Sequence, residues 1–375
     1  MTCRYIDPQV LPKSRRTVLL KVPAIIVAAV GCFLAPHRVV SAPITLIAAP
    51  NATDFVADER SGILYITSGS QVLRYNLASQ AFLSPFNLGG SLTGIDLSQD
   101  GSRLLVADSS HTSTEAWFYD VNPTSGASQT ITYAHASREA GAYQVRIAAD
   151  GTAILSSKQA WGSVALPIRQ YDLATMSVSV ISYLYQGARV SSAADGSVVV
   201  VSAIGTSPST VLRYSSATGD LSQNFIPSLN LSSTGVAVNS DGTESAAFTS
   251  GGARIYDQDW HVTKELDPSQ FVAPIGMAYD AVRDVLYDAE VNTTHIDAYD
   301  TQTWQKTDSY ELPYEFNFTA GSGRLRTSDD GQYLFALAPG TGIYAIVVPE
   351  PSMVAMLLGG GLGGGVIVLV WRRRR

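Results

Sequence analysis

The chain has 375 residues, 46% of them apolar and only 15% charged, which is enough to bury a large core and excludes a wholly disordered polymer. Its net charge of −7 becomes −15, from 15 basic and 30 acidic residues, once the first 41 and last 27 positions are set aside. A body this acidic argues against a polyphosphate partner such as nucleic acid, which needs a basic footprint, and leaves cations, neutral glycans and proteins open.

The first predicted element is a leader. Basic residues Arg4, Lys13, Arg15, Arg16 and Lys21 precede an apolar run from Val22 to Leu34, 13 residues long. That length suits a signal-peptide core and is short for a membrane span. Small residues follow, Val39-Val40-Ser41-Ala42-Pro43. Cleavage after Ser41 is preferred to cleavage after Ala42, which would leave Pro43 at the first mature position. Residues 1–41 are therefore read as a signal peptide, handled by signal peptidase. Ser14-Arg15-Arg16-Thr17-Val18-Leu19 also resembles a twin-arginine export signal, with Val18 where that signal usually has Phe, so the export route stays open. Both cysteines, Cys3 and Cys32, lie in this leader, so the body has no disulfide framework and no CxxC pair.

The body repeats. A tyrosine recurs at the end of a short apolar run as Tyr75, Tyr119, Tyr171, Tyr214, Tyr256, Tyr299 and Tyr344, at spacings of 44, 52, 43, 42, 43 and 45. A small polar residue follows six of the seven, and Ala345 follows the last. Upstream of each lies a turn between two β-like runs. Five of these turns are Asp-Gly: Asp100-Gly101, Asp150-Gly151, Asp195-Gly196, Asp241-Gly242 and Asp330-Gly331. Glycine there accepts positive φ, a strong hairpin signal. The first and sixth units have Ser61-Gly62 and Arg283-Asp284 instead.

The second unit shows the layout. Leu92–Leu97, Leu104–Ala107, Ala116–Asp120 and Thr130–Tyr133 read as four short strands, the last on an edge. Four antiparallel strands every 40–50 residues describe a blade of a β-propeller. Seven such units fill Asn51 to about Val348, within a propeller domain over 42–348, but the last has room for only three strands. The orphan segment Pro43–Ala48 is expected to supply its fourth, closing the ring and hiding both edges. One all-β domain, a seven-bladed β-propeller, is the expected fold. A pair of β-sandwiches or a solenoid are the competing architectures. The unit containing Leu64-Tyr65-Ile66-Thr67 and Val72 to Tyr75 resembles the YVTN-type and quinoprotein-like propellers, and other units, such as Glu244-Ser245-Ala246-Ala247, depart from that pattern.

No catalytic signature stands out. His111, His135, His261 and His295 fall in different units without HxH or HExxH spacing, so zinc is unsupported. There is no GxSxG elbow and no phosphate-binding loop. Asp280, Asp284 and Asp288 flank a hairpin, with Asp297 and Asp300 on the next strand. Their bland reading is turn formation, and a calcium ion among such loops stays open. Trp117, expected on an inner strand, reads as core. Trp161, Trp260 and Trp304 fall in loops or turns, where they could pack or stack on a sugar. No residue is assigned a catalytic or metal-ligating role, and no cofactor is expected apart from that calcium option.

The last element is a three-part tail over 349–375. Pro349-Glu350-Pro351 is followed by 19 uncharged residues, Met353 to Trp371, and then Arg372, Arg373, Arg374 and Arg375. A helix over 353–371 would span roughly 28 Å, close to a hydrocarbon core. The terminal arginines would stop transfer and stay inside. Six glycines in the span weaken it as a permanent anchor. These three parts in this order resemble the PEP-CTERM sorting signal. The resemblance implies recognition of Pro349, Glu350 and Pro351 by an exosortase, transient anchoring in the inner membrane of a Gram-negative bacterium, and release to the cell surface or outside, often in company with extracellular polysaccharide. The expected role is surface or matrix binding and scaffolding, with that polysaccharide or surface proteins as partners. The competing expectation is a lactonase, lyase or glycoside hydrolase acting at the central channel, and a subunit docking partners on one face is a third.

Overall fold

The computed structural model describes residues 42–185, 187–229, 235–319 and 321–349. Ser41, Glu350, Pro351, the predicted span 353–371 and Arg372–Arg375 lie outside the described residues. So do the leader's basic and apolar runs. Ala42 and Pro349 lie within them.

Seven four-stranded antiparallel sheets follow one another along the chain. No helix occurs among the described residues. The first strands of the units, Ala52–Asp58, Leu92–Leu97, Glu139–Ile147, Ala188–Ser192, Val236–Val238, Pro274–Tyr279 and Leu325–Thr327, contact one another in sequence and line the centre. Blade 2 comprises Leu92–Leu97, Leu104–His111, Glu115–Val121 and Ser128–Ala134. The predicted strands all fall within these, and the second continues four residues beyond the apolar run. Asp108, just past that run, anchors the extension. Its carboxylate accepts from the N–H groups of Ser91 at 2.9 Å and Ser110 at 2.8 Å.

The ring closes on the seventh blade. Its chain-ordered strands are Leu325–Thr327, Tyr333–Ala338 and Gly342–Val347, and the fourth is Ile44–Ala48 from the other end of the body. Leu46 pairs opposite Tyr344, and Ile47 opposite Ile343. The pairing hides the edge of Gly342–Val347 and buries Ile47, which is 1% exposed, against Phe55, Leu64 and Phe335.

The core is divided into seven apolar clusters, each between two neighbouring blades. Every recurrent tyrosine lies on the third strand of its blade, and each packs into the cluster shared with the preceding blade. Tyr171 meets Phe118 edge-on at 5.0 Å, and Tyr299 lies against Phe271 at 4.3 Å. Period-2 alternation therefore sends one face of each blade forward and the other back. Burying a large apolar side chain in such a cluster is worth about 1.5–3 kcal/mol.

The turn chemistry is local. Gly101 takes φ 69° and Gly151 φ 82° in the turns after the inner strands. Blade 6 has no glycine there. Asp280 replaces it, its Oδ1 accepting from the N–H groups of Val282 and Arg283, both at 2.9 Å. The polar residue after the tyrosine folds the next turn in several blades. Asp172 Oδ1 accepts from Ala174 N–H at 2.8 Å, and Asp300 Oδ1 from Thr303 N–H at 2.7 Å. Ala345 breaks that pattern for a topological reason: the strand after Tyr344 comes from the far end of the body, so no turn follows.

Candidate functional site in the axial channel

The inner strands turn one hydrogen-bonding edge toward the axis, where their N–H and C=O groups need partners. Side chains from neighbouring blades supply them. Asp54 Oδ2 accepts from Ile95 N–H at 3.3 Å, Asp96 Oδ2 from Ile147 N–H at 2.8 Å, and Gln144 Oε1 from Val190 N–H at 2.8 Å. Thr53 donates to Thr93 O, and Thr93 to Ala142 O, both at 3.0 Å. Crowding at the centre selects glycine. A Cβ on Gly94 would lie 2.6 Å from Gln144 Cα, and one on Gly276 would lie 1.6 Å from Gly323 O.

Three arginines converge on the two carboxylates. Arg326 Nη2 donates to both oxygens of Asp54, at 2.9 and 3.0 Å. Arg324 Nη1 lies 3.1 Å from Asp54 Oδ1, and Arg146 Nη1 lies 3.7 Å from Oδ2. Arg326 Nη1 reaches Asp96 at 3.4 Å. Arg189 donates to the hydroxyl of Tyr143. Asp54 is 0% exposed, and Arg146 and Arg324 are each 7% exposed.

The electrostatics follow from burial and these contacts. Burial alone would raise the Asp54 carboxyl, but Arg326, Arg324 and Arg146 outweigh it and hold it down at about 2. Burial pushes Asp96 up against the pull of Arg146 and Arg326. Burial and the charge of Arg326 lower the Arg146 guanidinium to about 10. For Tyr143, burial is outweighed by Arg189 and Arg324, which hold its phenol below its ordinary value.

A cavity of 190 Å³ opens along the axis toward the turns that follow the inner strands. Arg146, Arg326 and Asp96 lie at its inner end, and Glu59, Arg60, Gln99 and Asp329 at its mouth. Glu59 Oε1 accepts from Asp329 N–H at 2.8 Å across the junction of blades 1 and 7. Burial and the neighbouring Glu59 raise the Asp329 carboxyl to about 7.

The residues singled out in the sequence lie elsewhere. His111 and His135 stack at 4.4 Å, but His111 ends a second strand and His135 follows an outermost one, outside the inner ring. His261 lies 3.3 Å from Asp257, and His295 lies 3.7 Å from Asp297. Trp117 lies on a third strand rather than an inner one and is half-buried, its indole N–H donating to Asp108 at 3.0 Å. Trp161 is 63% exposed, under the Arg138 guanidinium. Trp260 and Trp304 occupy turns at φ 65° and 58°, a position filled by Gly126 and Gly219 in blades 2 and 4. Asp280 and Asp300 form turns, and Asp284 accepts from the Gln302 amide at 2.7 Å. Asp297 accepts from Ser309 and Lys306 at 2.6 and 2.7 Å. Asp288 is 1% exposed with neither oxygen bonded among the described residues. Burial, then Glu290 and Asp297, push its carboxyl well above the usual range. No group of three or more ligating side chains that could hold a metal occurs among the described residues.

Sequence reasoning passed over the axial arginines and their two aspartates. The available signal was a charge at or beside a first strand: Arg146 between Val145 and Ile147, Arg324 just before Leu325–Thr327 and Arg326 within it.

No family profile matches the chain, and no curated protein matches its sequence. Solved structures do. The β-propeller domain of Cps50 (Swd1) from Myceliophteria thermophila is 12% identical with a TM-score of 0.60, covering 81% of this chain and 98% of that one. The Dos1 propeller is 11% identical at 0.56, covering 79% and 78%. Hydrazine synthase of Kuenenia stuttgartiensis is 15% identical at 0.56, covering 81% and 97%. At these identities the likeness shows the fold alone: the body is an all-β, seven-bladed propeller.

Proposed function

We propose that this chain is an exported, exosortase-sorted propeller that binds or scaffolds at the cell surface or in an extracellular polysaccharide matrix. The closed seven-bladed ring carries the binding half of this reading, because it presents two broad loop faces and a charged axial channel on one rigid frame. The destination rests on the sequence of the two ends. Signal peptidase would act at Ser41 and Ala42. Exosortase would act at Pro349, Glu350 and Pro351, with Arg372–Arg375 holding the tail at the inner membrane until then.

The test has two arms. Replacing Pro349 and Pro351 together with alanine should trap a longer, membrane-bound form, read by intact mass after fractionation. An unchanged mass and location would sink the sorting claim. Separately, the purified protein is screened against the producing cell's own polysaccharide, with and without calcium. Retention without product release supports binding.

A hydrolytic or lyase reading is favoured by one observation. Asp329, raised to about 7, sits beside Glu59 at the cavity mouth, the kind of shifted carboxyl that acid–base chemistry uses. Under that reading the same screen releases product, and D329N abolishes the release.

A further inference from the structure

We propose that the inner end of the axial cavity binds one small oxyanion, a carboxylate or sulfate-like group, across the guanidiniums of Arg146 and Arg326. The inference concerns this chain's own charges and stands whatever its destination.

Arg146, Arg324 and Arg326 share Asp54 and Asp96, and Arg189 meets the Tyr143 hydroxyl and no carboxylate among the described residues, so four guanidiniums stand against two carboxylates near the axis of an otherwise acidic body. Buried charge without a counterion is unfavourable. Hydrogen bonding shows the same deficit. The Arg146 side chain makes a single hydrogen bond among the described residues, from Nη1 to its own strand's Val145 O at 2.5 Å. Nε of Arg326 and Nε of Arg189 are buried and have no acceptor among the described residues. Arg146 and Arg326 both line the cavity, so an oxygen anion there meets two forked donors of the geometry that carboxylate and sulfate accept. Burial first, and then the charge of Arg326, lowers the Arg146 guanidinium, as for a buried cation with another cation beside it.

The other charged groups at the cavity set limits on the ligand. Asp58 is bound to Ser61 Oγ at 2.6 Å, and Asp280 to Arg283 and Tyr287 at 3.1 and 3.0 Å. Glu59 and Asp329 remain at the mouth, and Arg60 stands beside them. The volume of 190 Å³ falls below the roughly 300–1,000 Å³ of pockets for drug-sized ligands, which restricts the occupant to a small anion.

Equilibrium dialysis of the full-length chain, purified in mild detergent, with radiolabelled sulfate tests this directly. The expected result is saturable binding of one equivalent at concentrations below about 10 mM, insensitive to chloride at matched ionic strength. Competition by acetate would extend the site to carboxylates, and its failure would restrict it to tetrahedral anions. R146Q should weaken binding by about tenfold or more. The same variant should melt at or above the wild-type temperature in sulfate-free buffer, because an uncompensated cation has been removed. A purely structural arginine would instead lower the melting point and leave sulfate uptake unaltered. Absence of saturable uptake by the wild-type chain, or uptake unaffected by R146Q, would overturn the proposal.

Discussion

Asp54 is the residue on which the centre depends. It is fully buried, it takes three guanidiniums and it also accepts the N–H groups of Phe55 and Ile95. Its folded-state value lies below the ordinary carboxylate value, so its contribution is present above about pH 4 and is lost as pH falls toward 2. Removing the charge leaves Arg324 and Arg326 without their main partner. D54N should cost about 3–5 kcal/mol in chemical denaturation at pH 7, the penalty for breaking a buried pair. Asp288 has the opposite sign. Its carboxyl is raised, so the folded state holds a proton that the unfolded state releases, and its stabilising effect fades as pH rises from about 4 toward its folded value. The melting temperature should therefore drop over that range, and D288N should flatten the decline. A slope unaffected by D288N would move its origin to Glu59 or Asp329.

Between blades, the strands obey steric and packing rules that mutation can read. Ile47 is 1% exposed at the seam, and I47A should cost about 2–5 kcal/mol. G276A pushes a Cβ into the carbonyl of Gly323 and should cost about 1–3 kcal/mol through backbone displacement. The strands themselves were legible because each unit repeats the same local marks. Asp-Gly turns and the tyrosine–polar pair are short-range chemistry, and even the Ala345 exception has a topological cause. The axial cluster was not legible. Arg326 meets Asp54 across 272 positions, through a ring closure that no single unit's pattern encodes. Repetition reports what every blade shares, whereas Asp54, Asp96, Arg146 and Arg326 differ from blade to blade and meet only once the ring is assembled.

The ring as a whole gains its closure from a short strand of five residues, Ile44–Ala48. Deleting 43–48 should expose the Gly342–Val347 edge and open the blade 7 face of Ile343 and Ala345. Limited proteolysis should then cut first within blade 7, while the intact chain should unfold in one cooperative transition. Cleavage first in another blade would mean that the seam is not the weak point.

That seam also sets a timetable. Leu46 pairs with Tyr344, roughly 300 residues further on. At about 5–20 residues per second, its partner emerges from the ribosome some 15–60 s later. The first strand to be made is thus among the last to find its place. Throughout that delay an unpaired apolar segment has to be kept from strangers, so the newborn chain, more than the finished one, is where a chaperone would matter.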